Sequence, residues 1–540
     1  MAESERHQFF RGIWVTSLGT LASRVLGLVR DMATAALLGL SAGGAMDAFV
    51  VAFRIPNLFR RLFGEGALAA SYLPMLSARL VGDRNSAWQL ASVMLFWLAV
   101  LLTALVLAGE ALLALLWHFY GGSPDATLLL GLTATMLPYV IFICLAAQLT
   151  ATLHAIARFS AAALAPALLN VCWLIAAWMI APRFAPDQRA QAYVLSAAVV
   201  VAGIVQWGVL IAALLHGGFR FRYDWAASRD AVWRIARATL PMALGLAITQ
   251  INTLLDSLIA WGLAGNVAGE TIGWWGGAIE YPLTRGAAAA IYYGERFYQF
   301  PVGVLGLGVA TVIFPLLSRH AARGDHGAIG GDLTLGLRLV LYFALPATAG
   351  LVLLAEPIAR LMLERGEFTA ADSRRAAGVI ACYGAGAWAY CGLPVVIRGF
   401  YAIGDRITPV RVGALLVAVN LGLNLALIWP FAEAGLALST AISAALQLCL
   451  LLALFSRGVA RLDFTRLMRT TCRGVAATAL MAVAVGVTLG AIPDTTRPLH
   501  LGGRVVLPVL AGAAVFLAFT WLFSADELKL LVRPRDSDKF

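Results

Sequence analysis

Charge is what this sequence has least of. Of its 540 residues only 13% are Asp, Glu, Lys or Arg, while 61% are hydrophobic and the mean hydropathy is +0.83. A water-soluble chain of this length is excluded, because a membrane span needs about 20 mostly apolar residues and such runs recur to the C-terminus. Strict alternation of apolar and polar residues is also lacking, which excludes a transmembrane β-barrel. Cysteine is scarce. The six residues Cys144, Cys172, Cys382, Cys391, Cys449 and Cys472 lie mostly within apolar runs with no CxxC spacing, so they read as small apolar fillers. His118, His154, His320, His326 and His500 show no metal-ligand spacing. There is no Walker A loop, nucleophile elbow or catalytic carboxylate pair, so energy for any transport is expected from a gradient or the membrane potential. A cleavable signal peptide is not expected, since the first segment carries charges in its middle and no small-residue cleavage site. The net charge of +11 fits cytoplasmic loops beside anionic lipid and gives no reason to invoke nucleic acid.

What is present is a series of apolar segments. The expected fold class is an all-α polytopic membrane protein with fourteen spans, near 12–38, 45–77, 88–116, 127–156, 160–181, 190–216, 238–263, 288–318, 335–355, 376–403, 409–430, 433–456, 471–492 and 503–523. Prolines inside spans, Pro56, Pro74, Pro138, Pro166, Pro301, Pro315, Pro346 and Pro394, mark expected kinks. Basic residues gather in the connections 217–237, 318–325 and 456–469 and in the tail "KLLVRPRDSDK", which places both termini in the cytoplasm. The segment 356–375 breaks this pattern. It mixes Arg360, Arg365, Arg374 and Arg375 with Glu356, Glu364, Glu367 and Asp372, so it is expected to be an amphipathic surface segment.

The chain also repeats itself. "GALAASYLPMLSAR" (66–79) and "LGVATVIFPLLSRH" (307–320) end the second and eighth spans, and "AIARFSAAALAP" (155–166) matches "AIGDRITPVRVG" (402–413). Two lobes of six spans follow, residues 1–222 and 223–460, with residues 461–540 adding two spans and a tail. A parallel repeat of this kind is a transporter pattern. The Gly-rich stretch 264–287 has no counterpart and is expected to be an outer loop.

The few charges inside spans carry the chemistry. Each costs about 2.5–3.5 kcal/mol at a helix centre, so it should face protein or water. They are Arg24, Arg30 and Asp31 in the first span, Asp47, Arg54, Arg60, Arg61 and Glu65 in the second, Asp256 in the seventh, and Glu295 and Arg296 in the eighth. Arg24 and Asp31 are seven residues apart and share a face, as do Asp47, Arg54 and Arg61 up to Pro56, where the helix phase is interrupted. One reading pairs these acids and bases internally. The arginines outnumber the acids, however, and surplus guanidinium calls for an anion, with phosphate oxygens matching the Arg fork. Elsewhere, Asp256, Asn420, Asn424 and Thr440 offer four hard oxygens that would suit a sodium ion. The same residues read equally well as interhelical hydrogen bonds.

Three stretches, "SRVLGLVRDMATAALLG", "DAFVVAFRIPNLFRRLFGEGA" and "YYGERFYQFPVGVLG", closely resemble the MurJ (MviN) family of lipid II flippases, within the multidrug/oligosaccharidyl-lipid/polysaccharide exporter superfamily. The resemblance covers nearly the whole chain, and the first two stretches are specific to the family. It implies two lobes in a V shape, alternating access, and a lipid-tail groove on the last two spans. It further implies a multi-pass protein of the bacterial inner membrane, acting as a monomer, that flips undecaprenyl-pyrophosphate-linked peptidoglycan precursor from the cytoplasmic to the periplasmic leaflet. By motif, the family's functional arginines fall on Arg24, Arg30, Arg60 and Arg296 and its functional aspartate on Asp47. Spacing favours Arg54 and Arg61 over Arg60, whereas the motif favours Arg60. Asp31 is expected to orient Arg24 and Arg30. Gln299 stands where some relatives have an acid. The alternatives are an exporter of drugs or polysaccharide lipids from the same superfamily, or a polyprenyl-phosphate-processing enzyme. The enzyme would need a loop carboxylate dyad or metal site, and none is visible.

Overall fold

The computed structural model describes residues 3–64, 67–266, 269–274, 277–494 and 498–523, so Glu65 and the basic tail lie outside the described residues. Apart from four short strands within 264–284, its regular structure is helical, because the apolar runs satisfy their own backbone N–H and C=O groups inside each helix. Among the described residues nine helices are long and apolar enough to cross a membrane, or ten when the bent pair Ala370–Ala385 and Ala387–Ala402 counts as one span. Three helices that carry most of the charges noted above, Glu3–Leu38, Ala45–Gly64 and Trp225–Gly262, fall outside that set.

Proline marks some breaks and not others. Pro138 separates Pro124–Met136 from Tyr139–Ala155, and Pro301 is followed by a π-helical turn at Val302–Gly306. By contrast, Ala45–Gly64 runs through Pro56 without a break, so Arg54, Arg60 and Arg61 share one helix. The bend expected at Pro394 falls instead at Gly386, where two helices meet at 42°. Thr369 caps the first of these helices, its hydroxyl accepting from the Asp372 N–H while Asp372 accepts from the Thr369 N–H.

The chain forms two compact units. The first comprises residues 1–261 together with Arg365–Phe368. Its core gathers Leu68, Tyr72, Trp88, Leu102, Val140, Leu149 and Leu210. The helix Glu3–Leu38 packs along Phe159–Ile175, and Ala45–Gly64 packs on Pro124–Met136 and Tyr139–Ala155. Between helices in lipid there is little hydrophobic drive, so close packing and hydrogen bonds hold them. One such bond joins the buried Tyr72 hydroxyl to Thr152 Oγ1 at 3.0 Å.

The second unit holds residues 262–364 and 369–540. Leu333, Leu337, Val395, Phe400, Leu448 and Phe455 form its core. Ile407–Gly458 is one helix broken at Ala432 (φ 49°, ψ −135°), where the chain reverses in a single residue. The expected outer loop is partly structured. Thr271–Trp274 and Gly277–Glu280 form an antiparallel hairpin, and Ala264–Gly265 pairs in parallel with Leu283–Thr284 at its base. Arg375 seals this base, donating from Nη1 to the Arg285 carbonyl at 2.7 Å and from Nε to Glu433 at 2.7 Å.

The helices Phe464–Ala491 and Pro498–Phe523 join this unit through Tyr342, Met481, Val485 and Phe516, and through the Tyr342 hydroxyl at 2.8 Å from Thr520 Oγ1. The segment expected to be amphipathic forms the short helix Ala355–Leu363. From it Arg360 donates to Asp494 at 2.6 Å, and Arg504 approaches the same carboxylate oxygen at 2.6 Å as an ion pair without hydrogen-bond alignment. Slight burial pushes the Asp494 carboxyl up, but the hydrogen bond and charge of Arg360, with the charge of Arg504, outweigh it and hold the group below the usual carboxylate range. A depressed carboxylate contributes stability above its unfolded pKa and loses it as pH falls through the folded value. Wild type should therefore keep a constant thermal-stability advantage over Asp494→Asn from pH 5 to 8 in detergent, and lose it below about pH 4.

Candidate anion site

In the first unit the charges expected to matter are built into two helices. Arg30 is 8% exposed and Asp31 6%. Both Arg30 Nε (3.0 Å) and Nη2 (2.7 Å) donate to Asp31 Oδ1. Asp31 thus holds the Arg30 guanidinium through both bonds. Its expected second partner, Arg24, lies on an exposed stretch of the same helix.

Two residues that sequence reasoning missed complete the Arg30 setting. Asn170 Oδ1 accepts from Arg30 Nη1 at 3.2 Å, and Asn170 Nδ2 donates to the Ser23 carbonyl at 3.0 Å. Trp173 lies under the guanidinium, 4.6 Å from its ring centroid, and donates from Nε1 to Thr34 Oγ1 at 3.0 Å. Thr34 in turn donates to the Arg30 carbonyl at 2.8 Å. Phe49 and Phe53 pack edge-on against Trp173 and fix its plane. The signal for this pair was present in "PALLNVCWLI", where one amide and one indole stand three apart on a helix in an otherwise apolar run.

The second helix holds the remaining first-unit residues. Asp47 is 2% exposed and stands in the first turn of Ala45–Gly64, where the helix N-terminus favours a negative charge. Arg54, 7% exposed, donates from Nε to Ser257 Oγ at 3.1 Å. Half-buried Arg60 donates from Nε to Asn57 Oδ1 at 2.9 Å. Asp256, also in this unit, is 2% exposed and accepts from Asn252 across a long 3.4 Å contact.

In the second unit, Arg296 lies over the Tyr292 ring at 4.4 Å, one turn away on Ala287–Pro301. Asn420 and Asn424, 2% and 1% exposed, share a face and accept hydrogen bonds from Ser443 (3.2 Å) and from Ser439. These partners step away from the reversal at Ala432 in register, so the polar face zips the two halves of the hairpin together. Half-buried Thr440 donates to the Leu436 carbonyl at 3.0 Å. Among the described residues no group of three or more His, Cys, Asp or Glu is placed to hold a metal ion.

A multi-pass helical membrane protein with buried, protein-held arginines is the class this fold and site define. The description Lipid II flippase MurJ matches residues 34–496. A probable lipid II flippase MurJ from Vibrio cholerae is 32% identical over 94% of this chain and 95% of its own length, and one from Rhizobium meliloti is 32% identical over 95% and 94%. The chain belongs to the lipid II flippase MurJ family, a family of bacterial membrane transporters and not of enzymes, so the polyprenyl-phosphate enzyme reading is set aside. A solved structure described as lipid II flippase MurJ in an inward closed conformation superposes with a TM-score of 0.75 at 21% identity, covering 96% of this chain and 99% of that one. An inward-facing multidrug-resistance transporter of the MATE family shares the fold at a TM-score of 0.64 and 13% identity, over 81% of this chain and 95% of that one.

The Arg30 setting yields a ranking. Asn170→Ala strands a buried charged donor and should cost about 1.5–3 kcal/mol. Trp173→Phe keeps a ring under the guanidinium and should cost less. Thermal unfolding in detergent measures both, and an equal loss would show that the amide contributes nothing specific.

Proposed function

We propose that this chain flips lipid II from the cytoplasmic to the periplasmic leaflet of the bacterial inner membrane by alternating access. Arg24, Arg30, Arg54 and Arg60, with Arg296, take the pyrophosphate, while Asp31 and Asp47 keep the arginines oriented and electrically balanced. The observation that carries this reading is Arg30, a buried arginine set by Asp31, Asn170 and Trp173 in a member of the lipid II flippase family. A fork fixed in this way suits phosphate oxygens, and arginine excess over acids favours an anionic substrate over the cations that drug exporters of related fold would take.

The proposed topology has fourteen spans. The charged helices Glu3–Leu38, Ala45–Gly64 and Trp225–Gly262 join the apolar ones as spans, and the helix reversing at Ala432 counts twice. Residues 1–222 and 223–460 supply six spans each, and residues 461–540 supply two spans that hold the lipid tail. Both termini are cytoplasmic and the protein acts as a monomer.

The membrane potential supplies the drive. One charge moved through 100 mV is worth about 2.3 kcal/mol, and an interior-negative cell favours outward passage of an anion. A sodium ion at Asp256, Asn420, Asn424 and Thr440 adds a second drive by favouring one arrangement.

Two experiments test this. The gene should rescue a bacterium depleted of its own flippase. Arg24→Ala, Arg60→Ala and Arg296→Ala should not, although each protein still inserts, and the Lys replacements should retain partial activity where the Gln replacements do not. Full rescue by an Ala variant at normal expression removes that residue from the site. For coupling, flipping in proteoliposomes is measured with potential and sodium varied separately. Wild type should respond to both and Asp256→Ala only to potential. A wild type indifferent to sodium refutes the ion site.

A further inference from the structure

One further charge stands in an apolar run, and nothing inside the protein answers it. Glu110 lies in Arg84–Tyr120, a helix of the first unit long and apolar enough to cross a membrane. Among the described residues it makes no hydrogen bond and no ion pair.

Its depth follows from the indoles on either side. Trp97 and Trp117 are 41% and 43% exposed, and tryptophan marks the boundary between membrane and water. Twenty residues separate them, about 30 Å of helix, which matches the hydrocarbon thickness of a bilayer. Glu110 stands seven residues from Trp117, about 10 Å inside that boundary. Lysine and arginine can lift a charge along a long stem, and glutamate is too short to do so from there.

Its direction follows from burial. Leu98, Leu102 and Val106 turn toward the core of the first unit. Val100, Thr103, Leu107, Ala114 and Trp117 are exposed, Leu107 to 64%, and half-buried Glu110 falls in line with them. Steps of three and four residues connect these positions, the spacing of a seam against which a second helix packs at about 20°.

An ionisable group on an open helix face within lipid points to a partner. The partner has to bring what the face lacks, a positive charge. A second copy of the chain would not bring it. Two copies related by an axis along the membrane normal meet at equal depth, so across this seam each Glu110 would face its own image, and two carboxylates at one site oppose each other's ionisation. We propose that this face docks a transmembrane helix of another membrane protein, one that carries an arginine or lysine at the depth of Glu110. Thr103 and Ala114, small residues on either side, let the two backbones approach closely enough for the charges to meet.

The purified chain is placed in phosphatidylcholine vesicles with a Leu/Ala transmembrane peptide as the probe, and association is read by energy transfer between labels on the two. The peptide carries Arg, Leu or Glu at the position that matches Glu110 in depth. The Arg peptide should bind wild type at least tenfold more tightly than the Leu peptide. Glu110→Leu should remove that difference, and Glu110→Arg should transfer the preference to the Glu peptide. Equal binding of the Arg and Leu peptides to wild type overturns the proposal, as does a preference for Arg that survives Glu110→Leu. The second copy is read separately, with Leu107→Cys in a chain whose six native cysteines are replaced. It should stay monomeric on oxidation, and a disulfide-linked dimer overturns the proposal by giving the face to a second copy.

Discussion

A buried guanidinium has to be answered by protein, and the first unit is organised around one that is. Arg30 reaches an acid beside it, an amide on another helix and an indole one turn further along that helix. Each of these contacts fixes something else. Asn170 reaches back to the backbone at Ser23, Trp173 to Thr34, and Phe49 and Phe53 brace the indole from the second helix. Three helices are thus held in register by one charge. Burying the pair is expensive on its own. What the arrangement provides is a guanidinium whose orientation is fixed by the protein alone.

The second unit solves the same problem with neutral groups. Asn420 and Asn424 face Ser443 and Ser439 across a reversal of one residue, so a helix pair that lipid alone would not hold together is joined by matched side chains. The carbonyl oxygens that would serve an ion are the ones these serines use. An ion at this place would compete with the hairpin's own bonds, which gives its binding a direct route to the packing of the two halves.

Much of this was legible in the sequence, and the gaps have physical causes. Arg30 and Asp31 stand out because charge is rare in apolar runs, and their pairing follows from adjacency. Asn170 and Trp173 did not stand out, because a search for ionisable groups passes over an amide and an indole, and nothing in the chain ties position 30 to position 170. Proline within an apolar run predicts a kink, and the structure obeys this at some prolines and not at others. At Pro56 the helix absorbs the missing N–H, and the 42° bend falls at Gly386 while Ala387–Ala402 runs on through Pro394. The glycines of 264–287 read as a loop in the sequence, yet glycine also permits the close strand pairing found there. The family was readable from three motifs, two of which hold most of the charges within the apolar runs.

The parallel clasp at the base of that inserted stretch sets a floor on its length. Ala264–Gly265 and Leu283–Thr284 run in the same direction, so the intervening chain must travel out and return to its starting side before it can pair. A tight turn joins only antiparallel strands, and a parallel pair needs a crossover of about a dozen residues or more. Above that floor, added length raises the closure cost only logarithmically. Evolution is therefore free to lengthen or rewrite the hairpin, and an engineer to graft an epitope into it. Neither can delete it down to a short linker without undoing the pairing that leads into the helix carrying Arg296.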